Sequence, residues 1–152
     1  MAVSASHVWV FGGQGEKQEL QDDRLWSFDI GKRSWKVQET QGSGPGKRMG
    51  HSALMSADSS KIVVFGGSKY KRWFADVLVL DVATSAWETM ETTGKVPALA
   101  YHSCTLYDRN LVLVFGGIMD SECSDTLFCL DIEQRNWFKP FITGERPCAR
   151  SG

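Results

Sequence analysis

The sequence predicts an all-β protein assembled from several copies of one four-stranded antiparallel sheet. Three observations lead to this prediction: short apolar segments end at turn residues, no segment has helical periodicity, and the chain repeats itself about every 50 residues. Fifteen Gly, eight Phe and six Trp among 152 residues are typical of short strands joined by tight turns.

The repeat is defined by a set of markers that recur three times in the same order. Each copy has an apolar segment closed by Phe-Gly-Gly, a second apolar segment ending in Asp, a Trp six residues later, and Gly-x-x-Pro. The repeated residues are Gly12, Gly13, Gly66, Gly67, Gly116 and Gly117, then Asp29, Asp81 and Asp131, then Trp35, Trp87 and Trp137, with His51 and His102 opening the next segment. We expect all of them to serve folding, because a structural role predicts recurrence.

Each marker also predicts a local structure. The segment before Phe-Gly-Gly is apolar throughout, as in 62–64, which is typical of a strand buried on both faces. Paired glycines allow the chain to leave that strand with positive φ. The Asp ends a third strand and can accept bonds from backbone N–H groups of a short turn. The fourth strand alternates, with Trp35 facing inward and Lys36 facing outward, which suits an outer edge.

A four-stranded unit whose central strand is buried on both sides needs a sheet against each face, and radial stacking around an axis provides this. With these markers the chain resembles the kelch repeats, a family of β-propellers, over essentially all of its residues. The resemblance implies a kelch-type β-propeller segment of four-stranded antiparallel blades. Arg48-Met49-Gly50-His51 matches the family's last element, whereas the second copy has Leu99 in place of the arginine.

The repeat divides the chain into about three blades. Blade 1 is predicted at about 1–41 without most of its first strand, blade 2 at about 48–93, blade 3 at about 99–143, and 144–152 as a link to a missing blade. Propellers close with about four to eight blades, so this propeller is incomplete. We therefore expect a fragment of a longer protein, or a partial propeller that self-associates with another copy through its open edges.

Composition excludes several classes of function. The formal net charge is −1, with 17 basic and 18 acidic residues, so no surface charge predicts binding to nucleic acid or to an anionic membrane. No apolar segment approaches the roughly 20 residues of a membrane span. The four cysteines form no C-x-x-C pair, which favours free thiols in a reducing compartment. The cytoplasm is the expected location, with the nucleus as the alternative.

No residue pattern predicts catalysis. We assign no catalytic, cofactor-binding or metal-binding residue and expect no cofactor, because no carboxylate–histidine constellation lies outside the repeat. Residues 42–47 resemble a phosphate loop but lack its first glycine and lead into a strand. The resemblance leaves two alternatives: part of a kelch-type enzyme, such as a metal oxidase, lyase or epimerase, or a filament-binding scaffold.

Function is expected where the repeat varies. The loops between the second and third strands (2–3 loops), residues 14–23, 68–75 and 118–124, differ in length and composition on a constant scaffold. By resemblance, kelch propellers bind partner proteins on the face formed by these loops and by the links between blades (4–1 links). Substrate receptors, trafficking effectors and scaffolds all fit. The candidate contact residues are Lys69, Tyr70, Lys71, Arg72 and Trp73.

These five residues interleave cations with aromatic rings, which suits an acidic peptide segment of a partner protein. The alternative is a solvated loop that is salt-bridged to its acidic neighbours, with Trp73 or Phe74 folded onto the blade.

Overall fold

The computed structural model describes residues 1–152, and its regular structure consists of strands alone. Three four-stranded antiparallel sheets follow one another along the chain, and we call each of them a blade. Blade 1 contains β1 (Ala2–Val3), β2 (His7–Phe11), β3 (Leu25–Asp29) and β4 (Ser34–Gln38). Blade 2 contains β5 (Ser52–Met55), β6 (Lys61–Phe65), the short hairpin β7 (Ser68–Lys69) and β8 (Arg72–Trp73), then β9 (Val77–Asp81) and β10 (Ala86–Thr89). Blade 3 contains β11 (Ser103–Tyr107), β12 (Leu111–Phe115), the hairpin β13 (Ile118–Met119) and β14 (Glu122–Cys123), then β15 (Leu127–Asp131) and β16 (Asn136–Phe138).

The two middle strands of blade 2 are buried on both faces, as their uninterrupted apolar sequences predict. Val63 of β6 lies opposite Val79 of β9, and both are almost completely buried. Because successive residues of a strand point to opposite faces, β6 contributes to two separate cores. Val63 and Phe65 pack with blade 3, whereas Ile62 and Val64 pack with blade 1.

The two cores show how the blades stack. One core joins Trp9, Phe11 and Leu25 of blade 1 to blade 2. The other joins blade 2 to Val112, Val114, Phe128, Leu130 and Trp137 of blade 3. The outer faces of blades 1 and 3 have no sheet against them. The fold class predicted from the repeat, an incomplete propeller segment, is therefore confirmed.

The aspartate that ends each third strand organises the following turn, as predicted. Asp29 Oδ1 accepts a hydrogen bond from the Lys32 backbone N–H at 2.9 Å. Asp81 and Asp131 accept the equivalent bonds from Thr84 and Gln134, both at 2.8 Å. The equal geometry in three blades explains why this turn keeps one length.

Backbone hydrogen bonds also connect neighbouring blades at the outer rim. Gln41, which follows blade 1, donates to the Ser85 carbonyl at 2.8 Å and accepts from the Trp87 N–H at 2.9 Å. Thr93 repeats this arrangement with blade 3, so each outer strand gains a short parallel partner from the preceding blade. The next residue must be glycine, because a Cβ on Gly42 would lie 2.6 Å from the Trp87 carbonyl oxygen.

The predicted inward orientation of the repeated tryptophan is wrong for the first copy. Trp87 and Trp137 are only 7% and 3% exposed, because the preceding blade covers them. A Cβ added to Gly44, in the link after blade 1, would lie 3.3 Å from the Trp87 ring. Trp35 occupies the same position on the open face of blade 1 and is 55% exposed, with its ring 5.0 Å from that of Phe28.

Candidate functional site

The 2–3 loops and the 4–1 links form one continuous face at the same end of the blades. Each Gly-Gly pair attaches its own blade to the link that follows: Gly67 N–H donates to the Leu99 carbonyl at 2.7 Å. A Cβ on Gly66 would lie 2.5 Å from that same oxygen, so only glycine permits the approach. Met49 in the preceding link exchanges two backbone hydrogen bonds with Ser68, at 2.9 and 2.8 Å, which attaches the link to the next loop.

The loop that contains the predicted contact residues is a two-stranded hairpin. Lys69 pairs with Arg72, and Tyr70 and Lys71 form the tip, where Tyr70 has a φ of 56°. The base closes through Phe74 N–H, which donates to the Gly67 carbonyl at 2.9 Å. Sequence reasoning did not predict this hairpin, because its strands are only two residues long. It holds the predicted contact residues in one projection from the blade.

The cations and the tyrosine of this hairpin, which we call the basic hairpin (residues 68–73), face solvent, whereas Ser68 at its base is buried. Tyr70 is 78% exposed, and Lys69, Lys71 and Arg72 are exposed as well. None of the three cations forms an ion pair, so the salt bridges to acidic neighbours in the alternative interpretation are not found. The second half of that interpretation fits Phe74, which is half-buried, and Trp73 is half-buried too.

Phe74 packs against two arginines at the base of the hairpin. The guanidinium of Arg72 lies 5.4 Å from the centre of the Phe74 ring, and that of the buried Arg48 lies 4.2 Å from it. Cation–π attraction at such distances restrains the orientation of Arg72 while leaving its N–H donors free for another acceptor.

Arg48 itself joins the link after blade 1 to blade 2. It donates from Nη1 to Asp76 Oδ1 at 2.7 Å and from Nη2 to Asp76 Oδ2 at 2.9 Å. It also donates from Nη1 to the Gly66 carbonyl at 2.9 Å and from Nε to the Pro45 carbonyl at 2.9 Å. Sequence reasoning missed Asp76. Its position immediately before the third strand of blade 2 could have marked it as a partner for Arg48.

The loops on either side of the basic hairpin are acidic. Glu16, Glu19 and Asp23 are exposed in the first loop, and Asp120 and Glu122 are exposed at the β13–β14 hairpin. Asp22 is paired with Arg24 of its own loop. The face therefore alternates in charge from blade to blade, with the basic hairpin between two negative loops.

The repeated histidines are largely shielded from solvent, since His102 is buried and His51 is half-buried. Burial is the main cause that lowers the pKa of His51 and of His102 to about 4. The His51 ring contacts Phe11 edge-on at 5.4 Å, and His102 Nε2 lies 2.8 Å from Ser52 Oγ. Both rings are therefore neutral at pH 7. Their Nδ1 atoms have no hydrogen-bond partner within the chain.

The rest of the surface offers no cluster of metal ligands and no long apolar helix. No three His, Cys, Asp or Glu side chains come together as a set of metal ligands. None of the chain forms the kind of long apolar helix with which a protein crosses a bilayer. A surface groove of about 630 Å³ lies at the opposite end, between the Ser56–Ser60 turn and Arg109.

Comparison with known proteins agrees with this architecture. The model of the KLHDC2/KLHL20/DRC7 Kelch-repeats domain matches residues 1–152. Acyl-CoA-binding domain-containing protein 5 of Arabidopsis thaliana is 32% identical over 82% of the chain, which spans 19% of that relative. The Rab9 effector protein with kelch motifs of Mus musculus is 30% identical over 79% of the chain, which spans 33% of it.

An enzyme is also among the relatives. The N-(sulfonatooxy)prop-2-enimidothioate sulfolyase of Thlaspi arvense is 30% identical over 84% of the chain, which spans 37% of that protein. The chain thus covers far less than two thirds of the length of each of these relatives. With its three sheets, its Gly-Gly strand ends and a family model that matches from end to end, the chain belongs to the kelch-repeat family.

Proposed function

We propose that this chain is a protein–protein interaction module that presents its 2–3 loops and 4–1 links to a partner protein. The observation behind this proposal is the basic hairpin, where three exposed cations without ion pairs stand beside an exposed tyrosine. Tyrosine and arginine dominate the energetics of protein interfaces, and unpaired cations cost little to engage. A relative that is named as a Rab9 effector supports an interaction role for this chain.

The ligand that suits the hairpin is an acidic, extended peptide segment of the partner. Arg72 offers a planar fork of donors for a carboxylate, while Lys69 and Lys71 add point charges on the two sides of the tip. The acidic loops of blades 1 and 3 repel a ligand with negative charge over its whole length. They favour a segment whose charges are confined to the few residues over blade 2.

We also propose that the chain does not act as an enzyme. Its recurring histidines pack against Phe11 and Phe65 at the same position of the repeat, which supports a structural role for both rings. The relationship to a sulfolyase makes this a testable statement. Assay of the chain against that relative's substrate is expected to show no turnover above buffer.

Titration with a fluorescent peptide of four consecutive glutamates flanked by glycine and serine tests the binding proposal. Charge reversal of the hairpin (Lys69→Glu, Lys71→Glu and Arg72→Glu) is expected to weaken binding by at least about tenfold, the equivalent of roughly 1.4 kcal/mol. The matched control reverses three exposed cations at the opposite end, Arg33→Glu, Arg109→Glu and Arg135→Glu, and should bind as the wild type does. Equal affinity for all three proteins would overturn the proposal.

A further inference from the structure

One tyrosine in the link between blades 2 and 3 has an unusual backbone conformation. Tyr101 has a φ of 57°, in the left-handed region that a bulky residue rarely adopts. Ten residues other than glycine have a positive φ, and the other nine lie in turns between antiparallel strands, where such values are usual. Tyr101 is the exception, because it lies in the link, two residues before the first strand of blade 3.

The equivalent position in the link between blades 1 and 2 is a glycine. Gly50 has a φ of 64°, so both links need left-handed backbone at this point. Glycine adopts this conformation without strain, whereas a residue with a Cβ is strained in it. A glycine at residue 101 would therefore satisfy the fold, and backbone geometry does not explain the tyrosine. Strained residues of this kind are concentrated at functional sites.

The Tyr101 ring packs on Gly50 and remains partly open to solvent. The Tyr101 backbone N–H donates to the Gly50 carbonyl at 2.7 Å. A Cβ added to Gly50 would lie 3.0 and 3.1 Å from the Cδ1 and Cδ2 atoms of the ring, so only glycine fits against it. Tyr101 is nevertheless 38% exposed. The backbone of the preceding link therefore supports the ring, and its exposed part is available to a ligand.

Tyr101 lies between the bases of two hairpins of the candidate face. On one side, the residue before Gly50 exchanges backbone hydrogen bonds with Ser68 at the base of the basic hairpin. On the other side, Ala100 exchanges hydrogen bonds of 3.1 and 2.7 Å with Ile118 at the base of the β13–β14 hairpin. An extended peptide advances about 3.3 Å per residue, so about three or four residues lead from the base of the basic hairpin to the ring.

The residues around the Tyr101 ring are uncharged. Ala100 and Ile118 are apolar, and Met119 on the same hairpin is 45% exposed. Cations follow on the basic hairpin and carboxylates on the hairpin of blade 3. A ligand side chain that packs on Tyr101 gains most if it is apolar, because it removes apolar surface from water.

We propose that Tyr101 is a partner-contact residue that packs against an apolar side chain of the bound peptide segment. This inference rests on the proposed function, because the segment is the same acidic one that the basic hairpin binds. Its carboxylates lie on the basic hairpin, and its apolar residue lies on Tyr101, about three or four positions away. Tyr101 thereby discriminates among acidic segments, which the cations alone do not.

Titration of the 152-residue chain with two fluorescent peptides tests this inference. The first is the peptide of four glutamates flanked by glycine and serine, and the second also has a leucine at the fourth position of each flank. We expect the leucine peptide to bind the wild type about fivefold more tightly, because part of a leucine side chain is buried. Tyr101→Gly should remove this gain and leave the affinity for the first peptide unchanged. The matched control, Tyr107→Ala, removes an exposed tyrosine at the opposite end and should keep the gain.

Thermal unfolding determines whether the tyrosine serves the fold instead. Tyr101→Ala removes the ring and keeps the backbone strain, whereas Tyr101→Gly removes both. We expect the unfolding midpoint of Tyr101→Gly to lie at least about 2 °C above that of Tyr101→Ala. A midpoint no higher than that of Tyr101→Ala would show that residue 101 is not strained, and it would overturn the inference.

The binding data separate failure of this inference from failure of the proposed function. If the wild type binds both peptides equally, or if Tyr101→Gly keeps the leucine gain, the role of Tyr101 is wrong. The proposed function stands in that case, provided that charge reversal of the basic hairpin still weakens binding of the glutamate peptide. If charge reversal has no effect on either peptide, the proposed function and the inference are both wrong.

Discussion

Arg48 and Asp76 come from adjacent blades and are joined by two parallel hydrogen bonds of 2.7 and 2.9 Å. The guanidinium is almost inaccessible to solvent, at 3% exposure, whereas the carboxylate keeps 34%. A pair of this kind does not necessarily stabilise a fold more than an apolar contact would, but removal of one partner leaves a buried charge unpaired. Substitution of Arg48 or Asp76 alone should therefore destabilise the contact between blades 1 and 2 more than substitution of both residues together.

Asp76→Ala is expected to lower the free energy of unfolding by about 3 kcal/mol, because it strands the Arg48 guanidinium. The double substitution Arg48→Leu/Asp76→Thr introduces the residues found at the equivalent positions between blades 2 and 3, Leu99 and Thr126. It should lower the free energy of unfolding by less, about 1 kcal/mol. Urea unfolding measures both values. A double variant as unstable as Asp76→Ala would contradict this account of the junction.

Gly42, Gly94 and Gly144 follow the outer strands of the three blades. The stability lost when one of these glycines is replaced should depend on whether a neighbouring blade packs against it. Gly144→Ala should lower the free energy of unfolding by about 1 kcal/mol, because alanine is strained in the left-handed conformation and no other atom lies close to the new Cβ. Gly94→Ala has the same cost and also forces a Cβ into the Trp137 carbonyl oxygen, so we expect a loss of at least about 3 kcal/mol. Thermal unfolding of the two variants compares them directly, and equal losses would show that blade contact does not matter at this position.

The repeated tryptophans provide a second comparison of covered and open positions. Trp87→Ala is expected to cost about 3–5 kcal/mol, as for other large core aromatic residues. Trp35→Ala removes an exposed ring that packs at a tilt against Phe28 and should lower the free energy of unfolding by about 1 kcal/mol. Urea unfolding followed by circular dichroism separates the two. Losses of similar size would mean that Trp35 is covered in solution.

These comparisons show how far the sequence could predict the molecule. The markers placed the three sheets and the Asp29-type turns, because each marker reports a local backbone requirement. They did not predict the exposure of Trp35, since its burial depends on a neighbour and not on its own blade. Asp76 was missed for the same reason: its partner Arg48 lies 28 residues away and belongs to another repeat.

The basic hairpin shows another limit of sequence reasoning. The interleaved cations and rings of residues 69–73 were recognisable as a candidate surface, but the hairpin pairing of Lys69 with Arg72 was not. Two-residue strands carry no periodic pattern. Whether Lys69, Lys71 and Arg72 would be paired with the acidic loops was equally open, because that depends on how far the blades stand apart.

The buried histidines make stability depend on pH. In the folded chain the pKa of His51 and of His102 is about 4, mainly because burial disfavours the charged ring, whereas an unfolded histidine titrates near 6.5. Between these values the unfolded chain binds more protons than the folded chain. Stability therefore rises with pH across this window, and it is lost as the pH falls from about 6.5 towards 4.

At pH 5 each histidine should reduce the free energy of unfolding by about 2 kcal/mol relative to pH 8. His51→Gln and His102→Gln each remove one titrating group, so each should flatten part of this slope, and the double variant should flatten most of it. Measurement of every variant at pH 8, where both rings are neutral in either state, separates the packing cost of the substitution from its effect on the slope. Urea unfolding at half-unit intervals between pH 5 and 8 provides both numbers. If the double variant keeps the wild-type slope, protonation of other groups controls acid stability, and burial of the two rings is not its cause.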